Sequence, residues 1–145
     1  MTSTNLRELA DKEAIRVLLA RYCHLHAAHD FAGVVALFAE DGCFENIAGT
    51  AHGRSGILAV YESLNPPAGS HLERKHFTTD VLIDLQGDRA QAESQFLLVR
   101  QHAGGLIAAA AGRYQDALTR GADGWQFMKR KVHVDFHGDM GLKQS

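Results

Sequence analysis

The hydrophobic pattern of this chain changes period once, and that change limits it to helices followed by a sheet. Before about residue 64 apolar residues recur at three- and four-residue steps, and from His76 onward they alternate. Leu6, Leu9, Ile15, Leu18, Leu19, Tyr22 and Leu25 take the helical steps, with Glu8, Arg16 and Arg21 among the polar positions. They predict one long helix from about Leu6 to Ala28. Asp30 is of the type that caps a helix N-terminus, and Phe31, Val34, Val35, Leu37 and Phe38 give a second short helix its apolar face. Asp41-Gly42 marks a turn, and Cys43 to Ile47 reads as a short strand. Ile57, Leu58, Tyr61 and Leu64 share one face of a third helix over Gly53 to Leu64. Asn65-Pro66-Pro67 stops it, because proline lacks the N–H that a helix needs. Ala68 to Glu73 is then a loop.

In the second half Phe77, Thr79, Val81, Ile83 and Leu85 alternate with His76, Thr78, Asp80, Leu82 and Asp84, a strand pattern that puts Asp80 on the face of His76. Turns at Gln86-Gly87-Asp88, Gly104-Gly105 and Ala122-Asp123-Gly124 divide the remainder into three more strands. These run from Ala90 to His102, Leu106 to Thr119 and Trp125 to Phe136. In the last, Trp125, Phe127 and Lys129 stand opposite Gln126, Met128 and Arg130. Helices followed by an antiparallel meander give an α+β arrangement with the helices on one face of the sheet. A long twisted sheet curls, so the helices close its concave side.

At 145 residues the expectation is a single domain spanning 1–145. The net charge is −2 with no basic stripe, which argues against nucleic acid as a partner. No run approaches the ~20 apolar residues that span a bilayer, so no membrane association is expected. Met1 to Arg7 is polar and lacks the apolar core of a signal peptide, so the expected location is cytoplasmic. Cys23 and Cys43 form no motif and read as small buried hydrophobes. Nine histidines raise the question of a metal. His24 and His26 diverge by about 200° on a helix, His133 and His137 lie over ~13 Å apart along a strand, and neither a His-Glu-x-x-His motif nor a cysteine pair is present. No metal and no cofactor are therefore expected. Gly53-Arg54-Ser55-Gly56 starts a helix and lacks the context of a hydrolase elbow.

Four segments, in order, resemble the SnoaL-like branch of the nuclear transport factor 2-like superfamily. They are Glu13-Ala14-Ile15-Arg16 leading to Arg21-Tyr22, Asp30 and Leu37-Phe38-Ala39-Glu40-Asp41; Gly53-Arg54-Ser55-Gly56-Ile57; His76-Phe77-Thr78-Thr79-Asp80; and Gly112-Arg113-Tyr114-Gln115-Asp116 with Asp123-Gly124-Trp125-Gln126-Phe127 and Arg130. The resemblance implies a cone-like roll, with three N-terminal helices packed on a strongly curved, mostly antiparallel β-sheet around a hydrophobic pocket. It also implies a small apolar or aromatic cyclic ligand and a homodimer through the open sheet face, where Leu106 to Ala111 is small and apolar.

Several enzymes of this branch, among them scytalone dehydratase, bile acid 7α-dehydratase and a dehydrochlorinase, use a histidine–aspartate dyad. The histidine abstracts a proton from carbon, and imidazole suits this because its ordinary pKa of about 6.5 lets it act as base and then acid. By resemblance His76 is that histidine. The aspartate's place, five residues after Tyr22, holds Ala27. Asp30, three residues on, is either a substitute carboxylate or the cap of the second helix. His26 and His29 share a stripe with Tyr22 and could relay protons. Tyr22 either donates to a ligand oxygen or packs in the core, and Arg130 either anchors an anion or carbonyl or is solvated. Tyr61 and His26 join Arg130 and Ala27 as expected pocket residues. Two functions follow from the resemblance: a cofactor-independent lyase or isomerase, or a non-catalytic pocket or assembly subunit resembling a ring-hydroxylating dioxygenase β subunit.

Overall fold

The computed structural model describes residues 2–67, 69 and 73–139. Most of the expected loop from Ala68 to Glu73 thus lies outside the described residues. The long first helix, α1, is Ser3–Ala27, and α2 is Phe31–Ala36. They are followed by β1 (Phe38–Asn46), β2 (Gly49–His52), α3 (Gly53–Leu64), β3 (Arg74–Gln86), β4 (Arg89–His102), β5 (Gly105–Gly121) and β6 (Gly124–His137). The strands form one six-stranded sheet in the order β2-β1-β6-β5-β4-β3. Every neighbouring pair is antiparallel except β1 with β6, which is parallel. This mixed α+β architecture, with helices on a curved sheet, is the one expected. Among the described residues no helix is long and apolar enough to cross a membrane.

The core lies between the helices and the concave face of the sheet. Ile15 and Leu19 of α1, Val34 of α2 and Ile57 of α3 meet Phe38, Leu118 and Phe127, each almost fully buried. Burial of side chains this size stabilises by roughly 1.5–3 kcal/mol each relative to exposure. Leu6 and Leu9, expected on the apolar face of α1, remain 56% and 52% exposed. The buried face begins instead at Asp11, whose carboxylate accepts from Arg120 Nη2 at 2.7 Å and Trp125 Nε1 at 3.2 Å. That contact ties α1 to the β5–β6 hairpin.

Three local features depart from the sequence reading. The first is that Phe38 to Gly42 belongs to β1 rather than to α2 and a turn, and β1 continues into a hairpin with β2. Asn46 Oδ1 accepts from Ala48 N at 2.9 Å in the connecting turn, and Gly49 takes φ 125°. Gly49-Thr50-Ala51-His52 has no apolar alternation to announce a strand.

The second is a β-bulge in β3. Thr79 pairs with Gln95 but Leu82 with Glu93, which leaves one extra residue in β3, and Asp80 has φ 55°. The inward set changes from His76 and Thr78 to Val81, Ile83 and Leu85. Asp80 is turned outward and exposed, so it does not share the face of His76.

The third is a register shift in β6. Phe127 pairs with Leu118 and Lys129 with Ala117, so Met128 is the extra residue. Arg130 therefore moves to the buried face with Trp125 and Phe127, and Lys129 is exposed, opposite to the simple alternation. Gly112, on β5, is a required glycine. A Cβ there would meet the His133 carbonyl and the Phe96 ring.

Candidate functional site

The last two turns of α1 place Tyr22 and His26 on one inward stripe, four residues apart. Tyr61 comes from the inner face of α3, and His76 from β3 ahead of its bulge. Phe96 of β4 and Tyr114 of β5 complete the floor. Together these side chains line a cavity of about 90 Å³. Asn46, the last residue of β1, Ile47 just after it, and Val132 and Val134 on β6 also line it.

The polar groups inside are few and adjacent. The Tyr22 and Tyr61 hydroxyls are 2.6 Å apart and buried. In such a pair one hydroxyl donates to the other, and the acceptor retains its own hydrogen for a ligand oxygen. Burial holds both phenols above their ordinary pKa, so they stay protonated donors; for Tyr61 the proximity of Tyr22 adds to this. Beside them, the His26 and His76 rings are 4.1 Å apart between centroids in an edge-to-face arrangement. The His26 ring lies 6.1 Å from the Tyr22 ring and 5.9 Å from that of Tyr61.

Both imidazoles are held neutral. His26 is 5% exposed, and its Nδ1 has no hydrogen-bond partner among the described residues. Burial first, and then the positive charge of Arg74, push its pKa down to about 3. His76 is also driven well below the ordinary histidine value, first by burial and then by His26, Arg74 and Arg130. A neutral imidazole can accept a proton; an imidazolium cannot.

Arg130 takes a position the sequence did not indicate. It is fully buried, with its guanidinium carbon 3.6 Å from the Tyr114 ring centroid and 4.0 Å from that of Tyr22. It does not line the cavity; it stands behind two tyrosines that do. The Met128 register shift puts it there. Its Nε is 3.5 Å from Oδ1 of Asp116, which is also fully buried, and neither group has a hydrogen-bond partner among the described residues. Burial raises the Asp116 carboxyl to about 6 against the opposing pull of Arg130. The expected direct anchor is thus replaced by a group that fixes the tyrosine rings through cation–π contact.

Two other expected residues stand apart from the cavity. Asp30 is exposed and caps α2, its Oδ1 accepting from Gly33 N at 2.8 Å. It is not a lining residue, because the chain leaves α1 through His29 at φ 56° before reaching it. Ala27, one position past His26 and so about 100° further round the helix, is exposed. It faces an outer groove that also touches Cys23, Thr78 and the other side of His76. His29 is directed elsewhere, with Nε2 3.2 Å from the Pro66 carbonyl and Nδ1 3.6 Å from Glu73 Oε1. Conversely, Arg74 and Asn65 line the cavity without having been singled out in the sequence. Among the described residues no group of three or more His, Cys, Asp or Glu side chains could hold a metal ion.

A family model described as a SnoaL-like domain matches residues 7–131. Among solved structures, one similar chain is a protein of unknown function from Mycobacterium tuberculosis, carrying an aspartate-to-asparagine substitution. It is 27% identical, covering 93% of this chain and 77% of that one, with a TM-score of 0.82. An NTF2-like protein with a cystatin-like fold from Novosphingobium aromaticivorans is 26% identical, covering 92% of this chain and 87% of that one, with a TM-score of 0.82. ActVI-ORFA from Streptomyces coelicolor is 28% identical, covering 86% of this chain and 96% of that one, with a TM-score of 0.77. No curated protein matches the chain.

Proposed function

Because this chain belongs to the SnoaL-like domain family, we propose that it is a cofactor-independent lyase, of the dehydratase kind, or an isomerase acting on a small cyclic substrate. The observation that supports this reading is a neutral imidazole pair, 4.1 Å between centroids, beside a hydroxyl pair 2.6 Å apart, all lining one cavity. The hydroxyl pair donates to a substrate oxygen and stabilises the charge that develops there when a neighbouring C–H bond breaks. His76 takes that proton. In an isomerisation the imidazolium returns it to another carbon of the substrate. In a dehydration it passes to the departing oxygen, which leaves as water. His26 lies against His76 and offers a second site for the proton. Arg130, from behind, holds Tyr22 and Tyr114 in place.

His76→Ala should lower turnover of an identified substrate by roughly 10²–10⁴-fold, the usual worth of a positioned acid–base group, with substrate affinity changing far less. Unchanged turnover would remove the mechanism. It would favour the second reading, a pocket that binds without catalysis, to which the methyl of Ala27 lends support. That residue shares the outer groove with His76 and offers it no carboxylate.

We also propose that the chain forms a homodimer through the convex face of the sheet. Phe77, Leu97, Ala111 and Phe136 stand directly opposite one another on β3, β4, β5 and β6. They make one apolar row, with Phe77 48% and Phe136 76% exposed. Contiguous apolar surface of this kind marks an association site. Phe136→Lys should convert a dimer to a monomer at micromolar concentration in sedimentation equilibrium. A wild-type monomer under those conditions would rule the dimer out.

A further inference from the structure

His76 stands between two spaces. It lines the cavity, about 90 Å³, and also the outer groove between α1 and β3, about 420 Å³. The helix wall of that groove includes Ala20, Cys23 and Ala27, small residues at steps of three and four. They are one position round from Leu19, Tyr22 and His26, the large residues of α1 that are buried in the core. The small wall leaves room beside β3, and Cys23 Sγ lies 3.2 Å from Thr78 Oγ1 within it. Ala27 is exposed and His76 only partly buried, whereas His26 is 5% exposed. The groove offers His76 no carboxylate with which to share a proton. Its other titratable lining groups are Arg16, Cys23, His24 and Lys75. Arg16 and Lys75 are donors without an acceptor, and His24 is itself exposed to water. Water is therefore the partner with which a proton on His76 is exchanged from this side.

We propose that the outer groove is a solvent port to His76, through which the imidazole exchanges its proton with bulk water while a substrate fills the cavity. This rests on reading His76 as the base. When a substrate C–H bond breaks, its proton forms an N–H bond on the ring. Through the port the imidazolium gives that proton to water and takes another back, so charge and proton count are unchanged before the ring returns a proton to the substrate. In an isomerisation the hydrogen delivered then comes from solvent instead of from the original carbon. Ala27 keeps the port open. A larger side chain at that position would stand in the groove, and a carboxylate there would offer the ring a fixed partner in place of water.

The test is acylation of the full chain by diethyl pyrocarbonate at pH 7, where the His76 ring is neutral and reactive, with the rate at each histidine read by peptide mass spectrometry. Exposed His102 serves as the internal reference. Wild-type His76 should react more slowly than His102 but faster than His26. Ala27→Phe should slow His76 by roughly tenfold or more, because a closed site reacts only in the fraction of molecules that open. Ala27→Leu should slow it less, and Ala27→Gly not at all. Ile47→Trp, which adds bulk to the cavity lining instead, should leave the His76 rate unchanged. A wild-type His76 no more reactive than His26, an Ala27→Phe variant that reacts like wild type, or equal slowing by Ile47→Trp would each overturn the proposal. Ala27 is exposed, so larger side chains there do not displace the core. Because labelling is read without turnover, the two proposals fail separately. A closed port together with loss of turnover in His76→Ala would discard the port and keep the base.

Discussion

Acidification from pH 7 to pH 5 lowers the melting temperature of this protein by on the order of 10 °C, and His26→Phe lessens that loss. The sign follows from the two states. In the unfolded chain His26 titrates near the ordinary value of 6.5, and in the fold near 3. Between those values the unfolded chain binds a proton that the native state refuses. Stability therefore rises with pH across that window, is fully present above about 6.5, and is lost as pH falls toward 3. A difference of that size is worth roughly 4–5 kcal/mol over the whole window. His76 is depressed in the same direction by its own burial and adds to the slope. Asp116 opposes them. Its carboxyl is raised to about 6 from 3.8, so between those values the native state holds a proton that the unfolded chain has released. That contribution grows as pH falls, but it is one group against two. Phenylalanine fits the place of the His26 ring, which packs edge-on against Phe31 and Tyr61. Thermal melts of wild type and His26→Phe between pH 5 and pH 8 check the result. Parallel curves would mean that the buried imidazole is not the source.

The other large effect belongs to the pair beneath the tyrosines. Asp116→Ala, or Arg130→Met, should each destabilise the fold by roughly 3–5 kcal/mol, because either leaves a buried charge without its counter-ion. The double variant Arg130→Met with Asp116→Leu should lose less than the sum of the singles, since apolar groups of similar volume carry no desolvation penalty. Urea denaturation of the three variants measures this. A double variant whose loss equals the sum would show that the two groups do not depend on each other. The 3.5 Å separation and the absence of hydrogen bonds to either group make the pair a weak one. Most of the single-variant loss is then the penalty on the group left behind rather than a strong attraction removed.

Helical stepping followed by alternation was enough to reach the α+β fold, and α3 runs over the residues its pattern and its prolines indicated, Gly53–Leu64. What the pattern could not carry is any element whose signal is a single residue. One extra residue in β3 turned Asp80 outward, and one in β6 turned Arg130 inward. An alternation read straight through either bulge assigns the wrong face from that point onward. The β2 strand was missed because four small or polar residues hold no periodicity. Of the residues singled out in advance, Tyr22, His26, Tyr61 and His76 come together, because helical and strand periods already put them on inward faces. Asp30 was legible as a cap and serves as one. Arg74 and Asn65 were not legible as site residues. They flank the proline stop and the following loop, where the sequence announces an end of structure rather than a wall of a cavity.

The parallel pairing of β1 with β6 joins residues 38–45 to residues 127–131, far apart in the sequence. Non-local contacts of this kind cost loop-closure entropy before they stabilise, which slows folding. The cavity reaches across that seam, lined by Asn46 and Ile47 on one side and Val132 and Val134 on the other. A partly folded chain that has built its β3–β6 meander but not this seam has no enclosed cavity. A ligand that spans the seam is therefore expected to slow unfolding rather than to speed folding.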